Sequence, residues 1–208
     1  RRLLTERSHA LAVRVAIITE SFLPRINGVT NTVCRVVEHL RSRGHQAVVI
    51  APRPAPTMHA GVPVLSVPAI ALPGARDVRV AATGSRQVER MLAAFEPDLV
   101  HLASPTVLGS RGAVAARRLG VPIVAVFQTD LAGFARRYPA WQGVVAGVSG
   151  DEAIWRWLHR VHDAADRTLA PSSATIQELA ARGFPRLARW GRGVDLDQLH
   201  PRRRDKAL

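Results

Sequence analysis

The stretch VRVAIIT, residues 13–19, decides the fold. It is short, mostly apolar and rich in β-branched residues, which is typical of a strand covered on both faces of a parallel sheet. Apolar residues at helical spacing follow over residues 29–40 and stop at Gly44, and a second strand-like run, AVVIA, begins at Ala47. Residues 13–51 therefore predict a β-α-β unit with parallel strands and a right-handed crossover.

The same alternation of strands and helices continues along the chain. Further strands are predicted at 64–67, 98–103, 122–127, 168–170 and 187–190, and helices at 80–95, from about Thr106 to Arg118, from 149 and from near Ser172. The total of about seven strands predicts an α/β, Rossmann-like, doubly wound parallel sheet. We expect an N-terminal extension (1–12), one Rossmann-like domain (13–190) and an exit segment (191–208).

The charge of the chain points to an anionic partner. Its 208 residues carry 29 basic and 16 acidic side chains, a formal net charge of +13. A phosphate-bearing ligand, an acidic membrane surface or a nucleic acid would each fit this excess. The arginines are scattered and few aromatic residues lie between them, so nucleic acid is disfavoured.

Cysteine usage and hydropathy indicate a cytoplasmic protein. The single cysteine, Cys34, excludes an internal disulfide and fits a reducing compartment. No apolar run approaches the roughly 20 residues that a bilayer span needs, and the first residues lack a signal-peptide core.

The loop between the first strand and the first helix is a candidate anion site. In a doubly wound sheet, ligands bind beyond the carboxyl ends of the strands. Asn27 and Gly28 stand where the helix begins, and a helix N-terminus offers free N–H groups to an anion. Alternatively, Asn27 caps the helix and Gly28 relieves a tight turn. The G-x-G-x-x-G fingerprint is absent, which argues against an NAD-dependent dehydrogenase.

A second candidate site lies in FQTDLAGFARRY, residues 127–138, directly after a predicted strand. Gln128, Thr129 and Asp130 could hydrogen-bond a polyhydroxylated ligand, and Asp130 could orient a hydroxyl group or balance a developing positive charge. In the alternative interpretation Asp130 only caps a helix. Ser104 could line the same cleft or simply begin the next helix.

The pair Asp195 and Asp197 has the spacing of a D-x-D metal motif. It lies beside the glycine-containing exit segment near the end of the chain, whereas the motif works in a loop inside a catalytic domain. We therefore predict no metal site.

Five segments together resemble a known family. They are VRVAIITESFLPRINGVTNTV (13–33), PDLVHLASP (97–105), FQTDLAGFARRY (127–138), DRTLAPSSAT (166–175) and RWGRGVDLDQLHPRRRD (189–205). In this order they resemble the N-terminal domain of family 4 retaining glycosyltransferases of the GT-B fold, in particular the GDP-mannose-dependent α-mannosyltransferases of actinobacteria. The resemblance covers about residues 13–205.

The resemblance implies a hexosyltransferase. It would transfer mannose from GDP-mannose, with retention, to a glycolipid or glycan acceptor, with no essential cofactor or metal ion. A UDP-sugar donor, as in sulfoquinovosyl- or glucosyltransferases, is one alternative. A non-catalytic anion- or nucleotide-binding module of Rossmann-like fold is another.

The resemblance also assigns roles to the two candidate sites. Gly28, with Asn27, corresponds to the glycine loop beside the donor pyrophosphate. Gln128, Thr129 and Asp130 correspond to the catalytic segment beside the transferred sugar and the acceptor. Many relatives have a histidine where Gln128 stands.

Acceptor-binding and membrane-docking residues follow from the same comparison of segments. Glu20, Arg25 and Ser104 are expected to face the acceptor. A further set of arginines, in or before the predicted 80–95 helix, is expected to dock the protein on the anionic inner face of the plasma membrane; the alternative is a solvated helix face. This set is Arg76, Arg79, Arg86 and Arg90.

In the family, a second domain supplies the nucleotide pocket, and residues 191–208 correspond to the hinge that leads into it. We expect this chain to be the acceptor-side domain of a longer enzyme and to be inactive by itself.

Overall fold

The computed structural model describes residues 12–72, 75–128, 131, 151–191, 193, 200 and 202. For residues 72 and 75–78 it describes the backbone only. The described residues form ten strands and five helices. In chain order these are β1 (Arg14–Ile18), α1 (Gly28–Ser42), β2 (Gln46–Pro52), β3 (Met58–His59), β4 (Val62–Val67), β5 (Ala69–Leu72), β6 (Ala75–Ala81), α2 (Ser85–Phe95), β7 (Leu99–Leu102), α3 (Val107–Leu119), β8 (Ile123–Val126), α4 (Asp151–Asp163), β9 (Arg167–Ala170), α5 (Ser173–Ala181) and β10 (Leu187–Arg189).

A single large sheet organises these elements. Its strand order is β10-β9-β8-β7-β1-β2-β4-β3, and every neighbouring pair is parallel except β3 with β4. Strands β5 and β6 form a separate antiparallel pair. From β1 the chain adds β2 and β4 on one side of the sheet, and from β7 it adds β8, β9 and β10 on the other side. This is the doubly wound arrangement that the sequence predicts.

Both faces of the sheet are buried near its centre. Side chains alternate along a strand, so Ile18 packs into the cluster that contains Leu92 of α2 and Leu108 of α3, while Ile17 packs with Val33 of α1 on the opposite face. The near-continuous apolar character of residues 13–19 follows from this two-sided burial.

The ends of α1 are set by local chemistry. Asn27 caps its N-terminus, and Gly44 follows its C-terminus with a φ of 79°. That left-handed conformation favours glycine, which confirms the predicted stop.

The structure corrects one prediction. Residues 80–95 are not one helix, because β6 extends to Ala81 and α2 begins only at Ser85 after Gly84 as its N-cap. The hydrogen bond from Ala82 N to Pro68 O, 2.7 Å, continues the β5–β6 pairing past the predicted helix start. The main sheet agrees with the predicted total of about seven strands: it has eight, because the short, antiparallel β3 joins its edge.

Candidate active site at the carboxyl edge of the sheet

The loops expected to carry the site meet at one edge of the sheet. Ala103 N donates to Ile18 O (2.9 Å), and Thr19 N donates to Ile50 O (3.1 Å). The side chain of Gln128 donates from Nε2 to Ala103 O (2.8 Å). The ends of β1, β2, β7 and β8 are therefore joined by hydrogen bonds, and the sequence-predicted loops become neighbours.

Asn27 is used as a helix cap. Its Oδ1 accepts from Thr30 N (3.0 Å), and its Nδ2 donates to Ser21 Oγ (2.6 Å). The capping alternative is thus observed for the Asn27 side chain. Gly28 is the exposed first residue of α1, and its contact with a donor phosphate stays a prediction.

Glu20 braces three segments of the chain. Its Oε1 accepts from Ala81 N (2.6 Å), and its Oε2 accepts from Thr106 Oγ1 (2.8 Å) and Leu108 N (2.7 Å). Burial raises the pKa of Glu20, and the hydrogen bonds from Ala81, Leu108 and Thr106 oppose that rise. Both carboxylate oxygens are occupied by donors of the protein, so a contact between Glu20 and an acceptor stays a prediction.

Ser104 lies inside the domain. It is 4% exposed, and its Oγ is 3.5 Å from Thr19 Oγ1. The buried hydroxyl helps to hold the β7 loop against the β1 loop, and its predicted contact with an acceptor is untested.

Gln128 is the described member of the predicted catalytic segment. Its Oε1 is buried and has no hydrogen-bond partner within the described part of the chain. Thr129 and Asp130 lie outside the described residues.

On the adjacent strand β7, burial lowers the pKa of His101 to about 4, so this imidazole is neutral at pH 7.

The arginines expected to dock on a membrane lie on two elements. Arg76 and Arg79 belong to β6, whereas Arg86 and Arg90 are exposed on α2. The physical reason is the β5–β6 pairing, which places residues 75–81 in extended backbone. Next to Arg86 and Arg90, Glu89 forms an ion pair of 3.1 Å with Arg118 of α3, a residue absent from the predicted set.

Sequence reasoning missed two glycines that let α3 pack closely, Gly109 against the loop after β7 and Gly112 against β1. A Cβ at Gly109 would stand 1.9 Å from Ser104 O, and one at Gly112 would stand 2.4 Å from Ile18 Cδ1. The available signal was their spacing of three residues within a helical run, which puts both on one side of the helix.

In the part of the chain that the structure describes, no group of three or more His, Cys, Asp or Glu residues could hold a metal ion. The Asp195 and Asp197 pair and most of the predicted hinge lie outside it. None of the described helices is long and apolar enough to span a membrane.

Solved structures share this architecture. The Anabaena protein Alr3699/HepE in complex with UDP aligns with a TM-score of 0.59 and 14% identity, over 89% of this chain and 45% of that one. LpCGTa in complex with UDP aligns with a TM-score of 0.51 and 16% identity, over 92% and 56%. Identities this low are evidence for the fold alone. The fold is that of the N-terminal half of GT-B glycosyltransferases, as the sequence predicts.

The sequence model of Glycosyltransferase Family 4 matches residues 26–198, and the chain belongs to this family. It is 48% identical over 202 residues to a GDP-mannose-dependent alpha-mannosyltransferase of Mycolicibacterium smegmatis, covering 94% of this chain and 52% of the relative. For the protein of the same description in Corynebacterium glutamicum the identity is 42%, over 94% and 47%. The sulfoquinovosyl transferase SQD2 of Arabidopsis thaliana is 28% identical, over 99% and 40%. The chain spans about half the length of the curated relatives it matches.

Proposed function

We propose that the protein containing this chain transfers mannose from GDP-mannose, with retention, to a glycolipid or glycan acceptor. The observation that carries this proposal is the 48% identity, over 94% of this chain, to a relative described as a GDP-mannose-dependent alpha-mannosyltransferase. In this proposal, residues 13–190 form the acceptor side of the site, and the remainder of the enzyme binds the nucleotide.

The first turn of α1 binds the donor diphosphate. Gly28 has no side chain to hold a phosphate away from the backbone, and the N-terminus of the 15-residue helix α1 carries a partial positive charge. Asn27 and Ser21 keep this turn in place through their 2.6 Å hydrogen bond. Negative charge that develops on the departing diphosphate is stabilised there, which lowers the barrier to transfer.

Residues 128–130 act at the reacting sugar. The buried Oε1 of Gln128, which lacks a partner within the described residues, is an acceptor suited to a ligand hydroxyl group. Asp130 orients the attacking hydroxyl or balances the positive charge of the transition state, and Thr129 hydrogen-bonds the sugar. No metal or cofactor besides the donor is required.

The enzyme works at the cytoplasmic face of the membrane as a peripheral protein. Support comes from the net charge of +13 and from the two exposed arginines, Arg86 and Arg90, one turn apart on α2. A lipid-linked acceptor would be reached from this position.

The test is a donor screen with the full-length protein. GDP-mannose and UDP-glucose are each incubated with short-chain glycolipid acceptors, and products are identified by mass and by NMR of the anomeric centre. We expect α-linked mannosyl products from GDP-mannose and no turnover by residues 1–208 alone. Turnover of UDP-glucose instead would replace the donor, and no transfer from either donor would favour the non-catalytic module.

A further inference from the structure

A groove of about 540 Å³ lies between helices α3 and α4. Its lining comes from residues 110–118 of α3 and from residues 157–164 at the end of α4, about two helical turns of each. We call this the α3–α4 groove. Glu20, Gly28 and Gln128 do not belong to its lining, so the α3–α4 groove is distinct from the candidate active site.

The lining of the α3–α4 groove is strongly basic. The described residues that line it include four arginines and no acidic residue. The arginines are Arg111, Arg117, Arg118 and Arg160. Two of them have acidic neighbours outside the lining, because Arg118 pairs with Glu89 (3.1 Å) and Arg117 lies 4.0 Å from Asp166.

Arg111 of α3 and Arg160 of α4 have no such neighbours. Neither guanidinium group forms an ion pair or a hydrogen bond with another residue in the part of the chain that the structure describes. Both residues are exposed. An anionic partner could therefore pair with one arginine on each helix without first breaking a contact within the protein.

The floor of the α3–α4 groove is apolar. Ala113 and Val161 are buried there, and the adjacent Val114 is 44% exposed. Trp157 contributes only the apolar part of its ring, because its Nε1 donates to Pro105 O (2.9 Å). An occupant of the groove thus meets apolar surface with positive charge on both sides.

An acidic amphipathic helix complements this arrangement. Such a helix presents an apolar stripe of residues three and four positions apart, and an apolar groove is a common docking site for such a stripe. Aspartate and glutamate side chains beside the stripe would face the arginines, and charge complementarity of this kind favours one partner and speeds its association. We propose that the α3–α4 groove binds an acidic amphipathic helix of a partner protein.

The charge of the chain and the shape of the groove favour this occupant over two others. A second copy of the chain would bring its own net charge of +13 and would be repelled. A flat membrane surface would reach the exposed arginines but not the buried floor between them, whereas a helix has a convex side and a diameter of about 10 Å. The inference does not depend on the proposed transferase function, because it uses no residue of the active site.

Binding is tested with the full-length protein and a synthetic helical peptide of about five turns, in which leucines form one face and glutamates the other. A peptide of the same composition in scrambled order, which has no apolar stripe, is its match. Calorimetry compares the wild type with R111Q/R160Q and with the control R43Q/R167Q, which removes the same charge from exposed positions outside the α3–α4 groove. Thermal unfolding curves check that all three proteins are folded.

We expect the ordered peptide to bind the wild type and R111Q/R160Q to weaken that binding at least about tenfold. R43Q/R167Q should change it less than about twofold, and the scrambled peptide should bind at least about tenfold more weakly than the ordered one. Equal losses in the two double variants, or equal binding of the two peptides, would overturn the proposal. Failure of the ordered peptide to bind the wild type would overturn it as well.

A photoreactive residue locates the contact. With p-benzoylphenylalanine at the position of Val114, the protein should cross-link to the ordered peptide. The same residue at the position of Ile70, an exposed apolar side chain on β5, should give no cross-link. Cross-linking at both positions would show non-specific adhesion and would count against the proposal.

Phosphatidylcholine vesicles that contain phosphatidylglycerol decide between a protein partner and a membrane. If R111Q/R160Q loses binding to these vesicles but keeps its binding to the peptide, the groove is a lipid site and the proposal is wrong. Transfer assays judge the proposed function separately. We expect R111Q/R160Q to transfer mannose like the wild type, and absence of transfer by the wild type would reject the proposed function while the peptide result still stands.

Discussion

The carboxylate of Glu20 accepts a hydrogen bond of 2.7 Å from the backbone N–H of Leu108, 88 residues further along the chain. Leu108 lies in the first turn of α3, so Glu20 satisfies one of the free N–H groups of that helix from outside it. A charged residue that looks like a ligand contact in the sequence thus couples the β1 loop, β6 and α3.

Replacing Glu20 by glutamine should destabilise the domain. Glutamine has one oxygen where the carboxylate has two, so it cannot accept from the donors at both positions. At least one N–H or hydroxyl group then loses its partner, which lowers the free energy of unfolding by about 1–3 kcal/mol. Urea denaturation measures the change. Glu38→Gln, at an exposed position on α1, should change the free energy of unfolding by less than about 0.5 kcal/mol. Equal stability of the two variants would contradict the bracing role.

Gly109 should not tolerate alanine. The new Cβ would stand 1.9 Å from Ser104 O, so either α3 or the β7 loop must move. We expect a loss of about 1–3 kcal/mol or more in the free energy of unfolding. Gly84→Ala is the matched control, because nothing lies within 4 Å of its Cβ position and its φ of −94° suits alanine. A stable Gly109→Ala variant would show that the close approach is not required.

Two buried histidines should make stability fall in mild acid. Burial lowers the pKa values of His101 and His162 from 6.5 to about 4, with His159 adding to the effect at His162. Between those pH values the unfolded chain takes up protons that the folded chain does not, so the free energy of unfolding decreases as pH falls from 6.5 to about 4, by on the order of 2–3 kcal/mol for each histidine.

Denaturation of the wild type and His162→Phe across this pH range tests the effect. The variant should show a clearly smaller slope than the wild type, whereas His39→Phe, at an exposed position, should keep the wild-type slope. The raised pKa of Glu20 acts in the opposite direction, since the folded state gains stability as pH falls toward 4.5, and this contribution is common to all three proteins. An unchanged slope in His162→Phe would disprove the assignment.

A bulky residue at Gly28 should abolish transfer without unfolding the domain. Gly28 is exposed at the start of α1, and we expect Gly28→Trp to leave the domain folded while its side chain occupies the space proposed for the donor diphosphate. In the full-length enzyme we expect kcat/KM for the donor to fall about a hundredfold or more. Glu38→Trp, further along the same helix, should retain activity and is the control for a general effect of tryptophan on α1.

Arg86 and Arg90 should contribute to binding of anionic membranes. Each arginine near such a surface adds about 1 kcal/mol, so R86Q/R90Q should weaken binding to phosphatidylglycerol vesicles by roughly thirtyfold. Vesicle co-sedimentation measures this, with R43Q/R156Q as the control of equal charge. Equal binding of the wild type to neutral and anionic vesicles would remove the electrostatic explanation.

Much of the fold could be read from the sequence because it depends on neighbours along the chain. The β-branched run at 13–19, the helical spacing over 29–40 and the stop at Gly44 predict the β1-α1-β2 unit, and the structure has it at those places. Residues 75–81 were harder, because their extended form depends on pairing with β5. The alternation of apolar and charged residues at Val78, Arg79 and Val80 indicates a strand, but the apolar residues of α2 begin soon afterwards and obscure the boundary between strand and helix.

The sequence by itself determined the β1-α1-β2 unit and the edge of the sheet where the loops meet, since periodicity and parallel winding are local or topological rules. Only the tertiary structure decided that Glu20 is occupied by Ala81, Thr106 and Leu108, and that Arg111 and Arg160 line one groove. The physical reason is separation: Glu20 meets donors 61 to 88 residues away, and no local pattern records which distant groups the folding of the sheet will bring within 3 Å.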